Sequence, residues 1–198
     1  MKTTLLWLAA LFGLACTLLG EGSSPLAREG FPEYTNDSRL MRPEGYREWI
    51  YLSSGLGMTY TAGKPERFSN VFVLPSSYRE FMATGKWPDK TVFVVEQRAS
   101  SSEGSIVKGG RFQTDLGGIG VEVKDENRFP EKWAYFSFGP DQKTSSANAK
   151  EACWQCHNEH GAVENTFVQF YPTLEPVARH FGTYRESVDG AGKTPNSP

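Results

Sequence analysis

Residues 153–157 read Cys-Trp-Gln-Cys-His, and no other short stretch restricts the 198-residue chain as tightly. Two thiols three positions apart fall on one helical turn, with the imidazole of His157 directly behind them. This is the C-x-x-C-H form of c-type haem attachment, in which each thiol adds to one vinyl group and the imidazole is directed at the iron. The cofactor expected is therefore one covalent haem c, held by Cys153 and Cys156, with His157 as the metal ligand. Three other uses of the pair compete. A structural disulfide is open to an exported chain. A thioredoxin-type redox pair needs a βαβ context, which is missing here. Zinc needs two more ligands, and beyond nearby His160 only His180 remains.

The N-terminus reads as an export signal over residues 1–20. Lys2 supplies the positive end, Leu5 to Leu19 is an almost unbroken apolar run, and small Gly20 and Gly22 lead into Ser23 and Ser24. The run is short for a membrane span, so cleavage and a periplasmic location are expected, against a retained anchor. Lipidation at Cys16 fits poorly, because Gly13, Leu14 and Ala15 make a weak lipobox. Removal of the leader takes Cys16 with it and leaves only the motif pair. The net charge of −2 gives no bulk attraction to nucleic acid, and no nucleic-acid partner is expected.

Residues 21–40 mix Pro, Gly, Ser and charge without periodicity and suggest a flexible arm; 183–198 suggests a disordered tail. The domain is expected over 41–182. Strands are predicted at Val71–Leu74, Thr91–Glu96, Ile119–Lys124 and Trp133–Phe138, with hairpin loops in 98–117. In the third, Ile119, Val121 and Val123 share one face and Gly120, Glu122 and Lys124 the other. Helices are predicted from a capping box of Ser77 and Glu80 to a stop at Gly85, over 146–160, and over 173–181. The sum is an α+β domain built on an antiparallel sheet, with the cysteine motif on a C-terminal helix.

The other face of the iron is less constrained. No Met follows the motif, and Met41, Met58 and Met82 all precede it. His160 sits on the same helix as His157 and cannot cross to the opposite face. An open, five-coordinate iron is expected, with His180 or Met58 as alternatives for a sixth ligand, and open sites bind small ligands.

An ordered set of residues resembles the cytochrome P460 family: Tyr46-Arg47-Glu48-Trp49, then Val71-Phe72-Val73 with Pro75 and Tyr78, then Thr91-Val92 with Val94 and Glu96. It continues through Arg128-Phe129-Pro130, the run Trp133 to Gly139, the cysteine motif and Gln169-Phe170-Tyr171-Pro172. The resemblance covers roughly 42–176. It implies a periplasmic, β-rich homodimer with a five-coordinate haem. Members that oxidise hydroxylamine carry a haem cross-linked to a lysine; the related cytochromes c′-β lack the link and bind nitric oxide or carbon monoxide in an apolar distal pocket.

This chain departs from the first group at two points. Val95 stands where the resemblance places the cross-linking lysine, and Lys86, Lys90 and Lys108 read as solvated loop residues. Gly120 stands where it places a distal carboxylate, and a glycine is no general base. Glu122, two residues on, is the candidate for a displaced catalytic carboxylate. Val95 and Gly120 are thus expected in an uncharged distal pocket. The expected partners are a small gaseous or nitrogen-oxide ligand and an unidentified redox partner. The alternatives are hydroxylamine oxidation with Glu122 as base, and a six-coordinate electron carrier.

Overall fold

The structure is a computed structural model that describes residues 31–58, 65–104, 106 and 109–190. The stretch read as an export signal, residues 21–30 of the expected arm, Lys108 and the last eight positions lie outside the described residues. Among those described, no helix is long and apolar enough to cross a membrane.

The fold is α+β. Strands β1 (Leu40–Met41), β2 (Ile50–Leu56) and β3 (Arg67–Val73) precede helix α1 (Pro75–Thr84). Strands β4 (Val92–Ser101), β5 (Phe112–Lys124), β6 (Trp133–Phe138) and β7 (Thr144–Ser145) follow, then helices α2 (Trp154–His160) and α3 (Glu175–His180). Five strands form an antiparallel meander in the order β2-β3-β4-β5-β6, and β1 pairs with β7.

Strand alternation sends two different sets of side chains to the two faces. Val92, Val94, Ile119, Val121, Val123 and Phe136 build the core of one face with Leu40 and Leu74. The opposite face packs Phe93, Trp133 and Tyr135 against Phe81, Trp87, Tyr171 and Leu174. Trp87 lies 4.1 Å from Phe81 and 4.8 Å from Phe93 by ring centroids. Each fully buried side chain of this kind contributes about 1.5–3 kcal/mol, so both faces are energetically committed.

Cross-strand register sorts the second face into rows. Ser53, Val71, Val95, Gly120 and Ser137 pair in sequence across all five strands and form a row of small and medium residues. Beside it runs a row of larger side chains: Val73, Phe93, Glu122 and Tyr135. The floor therefore steps down along the first row.

Several expectations are corrected. Helix α1 starts at Pro75 with Leu74 as its N-cap, and Ser77 is buried inside it, so the Ser77–Glu80 capping box does not form. Proline at the first position supplies the preset φ that opens the helix. Gly85, at φ 68°, ends it as expected, its N–H donating to Phe81 O at 2.7 Å. The helix expected over 146–160 is reduced to α2. Residues 144–148 instead follow β6: Ser145 Oγ donates to Ser137 O, Asn148 N donates to Tyr135 O, and Ala147 bridges Phe136. Strand pairing outcompetes the helical tendency there.

The chain also joins the domain earlier and leaves it later than its composition suggests. Tyr34 packs on Phe129 and Phe136 with Arg128 over its ring, within the stretch expected as an arm. Tyr184 is buried, and Arg185 donates to Asn158 O and Glu159 O. Strand β2, half-exposed and rich in Ser and Gly, gave too weak a pattern to be predicted at all.

Candidate functional site

Helix α2 opens at Cys153, its N-cap, and His157 N closes the first turn on Cys153 O at 3.1 Å. This turn brings Cys153, Cys156 and His157 to one place, and the two thiols are not joined in a disulfide. Asn148 Nδ2 donates to Cys153 Sγ at 3.4 Å and to Ser137 Oγ at 3.0 Å, tying the motif to the end of the small-residue row.

The His157 ring lies between two aromatic rings, with Tyr135 at 4.3 Å and Phe167 at 4.4 Å between centroids. Its Nδ1 is 3.0 Å from the carbonyl of Asn165. A carbonyl only accepts, so Nδ1 carries the proton and Nε2 presents its lone pair. That is the tautomer a metal needs. The carbonyl comes from a tight turn, where Thr166 N donates to Val163 O at 3.0 Å. Gly161 lets this turn close on the helix: a Cβ there would stand 2.6 Å from His157 O and 2.8 Å from Thr166 N.

A cavity of about 380 Å³ opens between this helix and the sheet. Val71, Val95 and Gly120 form its floor, and Cys153 and His157 form one wall. Phe167, beside the His157 ring, lines the cavity too, as do Phe170 and Tyr171. Gly120 leaves real space: a Cβ built on it meets only Val95, at 3.8 Å. Ser53, Ser69 and Gln97 make one end polar, with Gln97 Nε2 donating to Ser69 Oγ at 2.9 Å.

Glu122, in the row beside this floor, is buried and also lines the cavity, its Oε2 3.9 Å from His157 Nδ1. Burial pushes its carboxyl above the usual carboxylate range, and the nearby imidazole opposes the shift. Burial, with Glu122 adding to it, also raises the hydroxyls of Tyr135 and Tyr171, which stay protonated. Glu122 thus faces the Nδ1 side of His157.

The remaining candidates separate. Met58 lines the cavity, its Sδ lying in the notch left by Gly55, where a Cβ would come within 2.1 Å. His180 is exposed and packs edge-on against Phe181, away from the cavity lining; His160 is exposed on α2. Lys86 is exposed, and Lys90 pairs with Asp125 and Asp89. Sequence reasoning missed Phe167 and Asn165. An aromatic ten positions beyond the motif histidine was a faint signal for the first. A backbone carbonyl leaves none, because every residue carries one.

The residues present fit a haem. Cys153 and an imidazole aimed by its Nδ1 partner line the cavity, and Cys156 lies on the same turn of α2; together they are the donor set a c-type haem requires. The cavity falls within the usual range of cofactor pockets. The family model described as cytochrome P460 matches residues 43–168. No curated protein matches the chain significantly.

Proposed function

The chain belongs to the cytochrome P460 family, whose members bind haem, and from that premise we propose an exported mono-haem c-type cytochrome with one iron face open to a small ligand. Cys153 and Cys156 anchor the haem and His157 is its proximal ligand. The haem supplies an iron centre able to bind a diatomic and to exchange an electron. Nitric oxide is the favoured ligand class, since an uncharged floor of Val71, Val95 and Gly120 suits an uncharged diatomic.

The observation that carries this reading is the His157 hydrogen bond to the Asn165 carbonyl, which commits Nδ1 and leaves Nε2 for the iron. The protein groups do the rest of the work. Tyr135 and Phe167 hold the ring plane, and Val95 offers no nitrogen for a second covalent link to the haem. Glu122 lies beside Nδ1, which favours an influence through His157 over proton abstraction from a ligand. The test is the mass and absorption spectrum of the purified protein, with and without nitric oxide.

A second reading draws support from Met58. Its sulfur lines the same cavity, so a six-coordinate electron carrier with Met58 as sixth ligand is the alternative. Such a protein is low-spin and indifferent to added nitric oxide. We further propose periplasmic delivery by the Lys2–Leu19 signal, and a homodimer and a redox partner by likeness to the family.

A further inference from the structure

Asn165 does not hold its carbonyl against His157 unaided. The turn that carries it, 163–166, is pinned from below by β5. Lys124 sits two residues beyond Glu122 on the same strand face, its side chain 8% exposed, and pairs with Glu164 Oε2 at 2.9 Å. It also donates to Trp87 O at 2.6 Å. Glu164 accepts a further hydrogen bond from Trp133 Nε1 at 3.3 Å. Glu164 has φ 50°, a backbone conformation L-residues adopt reluctantly and keep only where surrounding contacts impose it. Trp87 holds the far end of the turn, its Nε1 donating to Thr166 Oγ1 at 2.9 Å.

Nothing in the proposed ligation uses Lys124 or Glu164, yet a buried lysine is retained only where its partners repay its desolvation. We infer that Lys124 and Glu164 form a positioning pair that holds the Asn165 carbonyl against His157 Nδ1, and so sets how strongly the imidazole donates to the iron. The inference rests on the reading of His157 as proximal ligand. The physical chain is short. A well-aimed acceptor at Nδ1 raises the basicity of Nε2, strengthens the iron–nitrogen bond and stabilises the oxidised iron. A turn released from β5 gives a longer, misaligned hydrogen bond and the opposite trends.

Charge and position make different predictions, which the choice of variants separates. Glu164→Gln removes the charge but keeps one oxygen that, in the place of Oε2, accepts from both Lys124 and Trp133. Glu164→Ala removes both, and Lys124→Met removes the opposite charge. The holoprotein of each is compared by resonance Raman of the ferrous iron–histidine stretch and by reduction potential, with thermal melting as the folding control. Positioning predicts that Glu164→Ala and Lys124→Met both lower the stretching frequency and both raise the potential, while Glu164→Gln stays close to the unaltered protein. Potentials moving in opposite directions with an unmoved stretch would overturn the inference, as would a Gln variant indistinguishable from Ala. If Lys124→Met fails to fold, the two Glu164 variants decide the matter alone. Absence of an iron–histidine band in the unaltered ferrous protein would instead overturn the ligation reading, and this inference with it.

Discussion

Val95 and Gly120 stand opposite one another across β4 and β5, and a methyl group built on Gly120 would meet the Val95 Cβ at 3.8 Å. That is ordinary van der Waals contact. The space above Gly120 is therefore cavity, and the backbone there tolerates a side chain. Gly120→Ala should stabilise the fold by about 0.4–1 kcal/mol, through the lower entropy of the unfolded chain. Gly120→Leu fills the floor and should weaken nitric oxide binding by about tenfold or more, a loss of about 1.4 kcal/mol. Melting and gas titration of the two variants check both effects; unchanged binding in the Leu variant would place the ligand elsewhere.

Glu96 anchors the opposite face of the sheet. Tyr46 donates to it at 2.6 Å, Arg98 at 2.6 Å and Arg47 Nε at 2.8 Å. Burial alone would raise its carboxyl, but these hydrogen bonds outweigh burial and hold it at about 2, below its ordinary 4.5. A depressed carboxylate contributes stability above its unfolded value and loses it as the pH falls through the folded one. Stability should therefore decline between about pH 4.5 and 2. Glu96→Gln should flatten that decline and cost about 1.5–3 kcal/mol at neutral pH. Denaturant titrations across the window measure it.

Trp87 links the core to the site, buried between Phe81 and Phe93 while its indole N–H holds the 163–166 turn. Trp87→Ala should cost about 3–5 kcal/mol. Trp87→Phe should cost far less, since Thr166 Oγ1 still donates to Val163 O at 2.8 Å. Equal losses would mean that the hydrogen bond, and not the packing, dominates.

The proposed covalent anchor makes its own prediction. Either Cys153→Ser or Cys156→Ser should leave one thioether and shift the haem absorption. The double variant should release its haem into acidified organic solvent. Intact-protein mass spectrometry distinguishes the three; haem retained covalently by the double variant would show another attachment.

The motif was legible from sequence because its chemistry demands adjacent residues on one turn. So were β6, the first half of β4 and the last six residues of β5, where apolar runs are long; 98–101 and 112–117, expected as hairpin loops, extend β4 and β5 instead. Glu122 and Lys124 were harder. Alternation assigns them to the face opposite Ile119, Val121 and Val123, and a polar face ordinarily meets solvent. Here both faces are covered, so the same alternation places them beneath His157 and Glu164. The stretch 144–148 misled for a related reason: its helical composition yields to pairing with β6, a partner brought close only by tertiary folding. Asn165 was beyond reach, because it acts through its backbone.

The central claim is an iron held by His157 on one face and open on the other. Absorption spectra of the purified ferric and ferrous protein, recorded before and after nitric oxide, test it most directly. The account predicts high-spin, five-coordinate spectra that change on adding the gas. Low-spin, six-coordinate spectra unmoved by nitric oxide would contradict it.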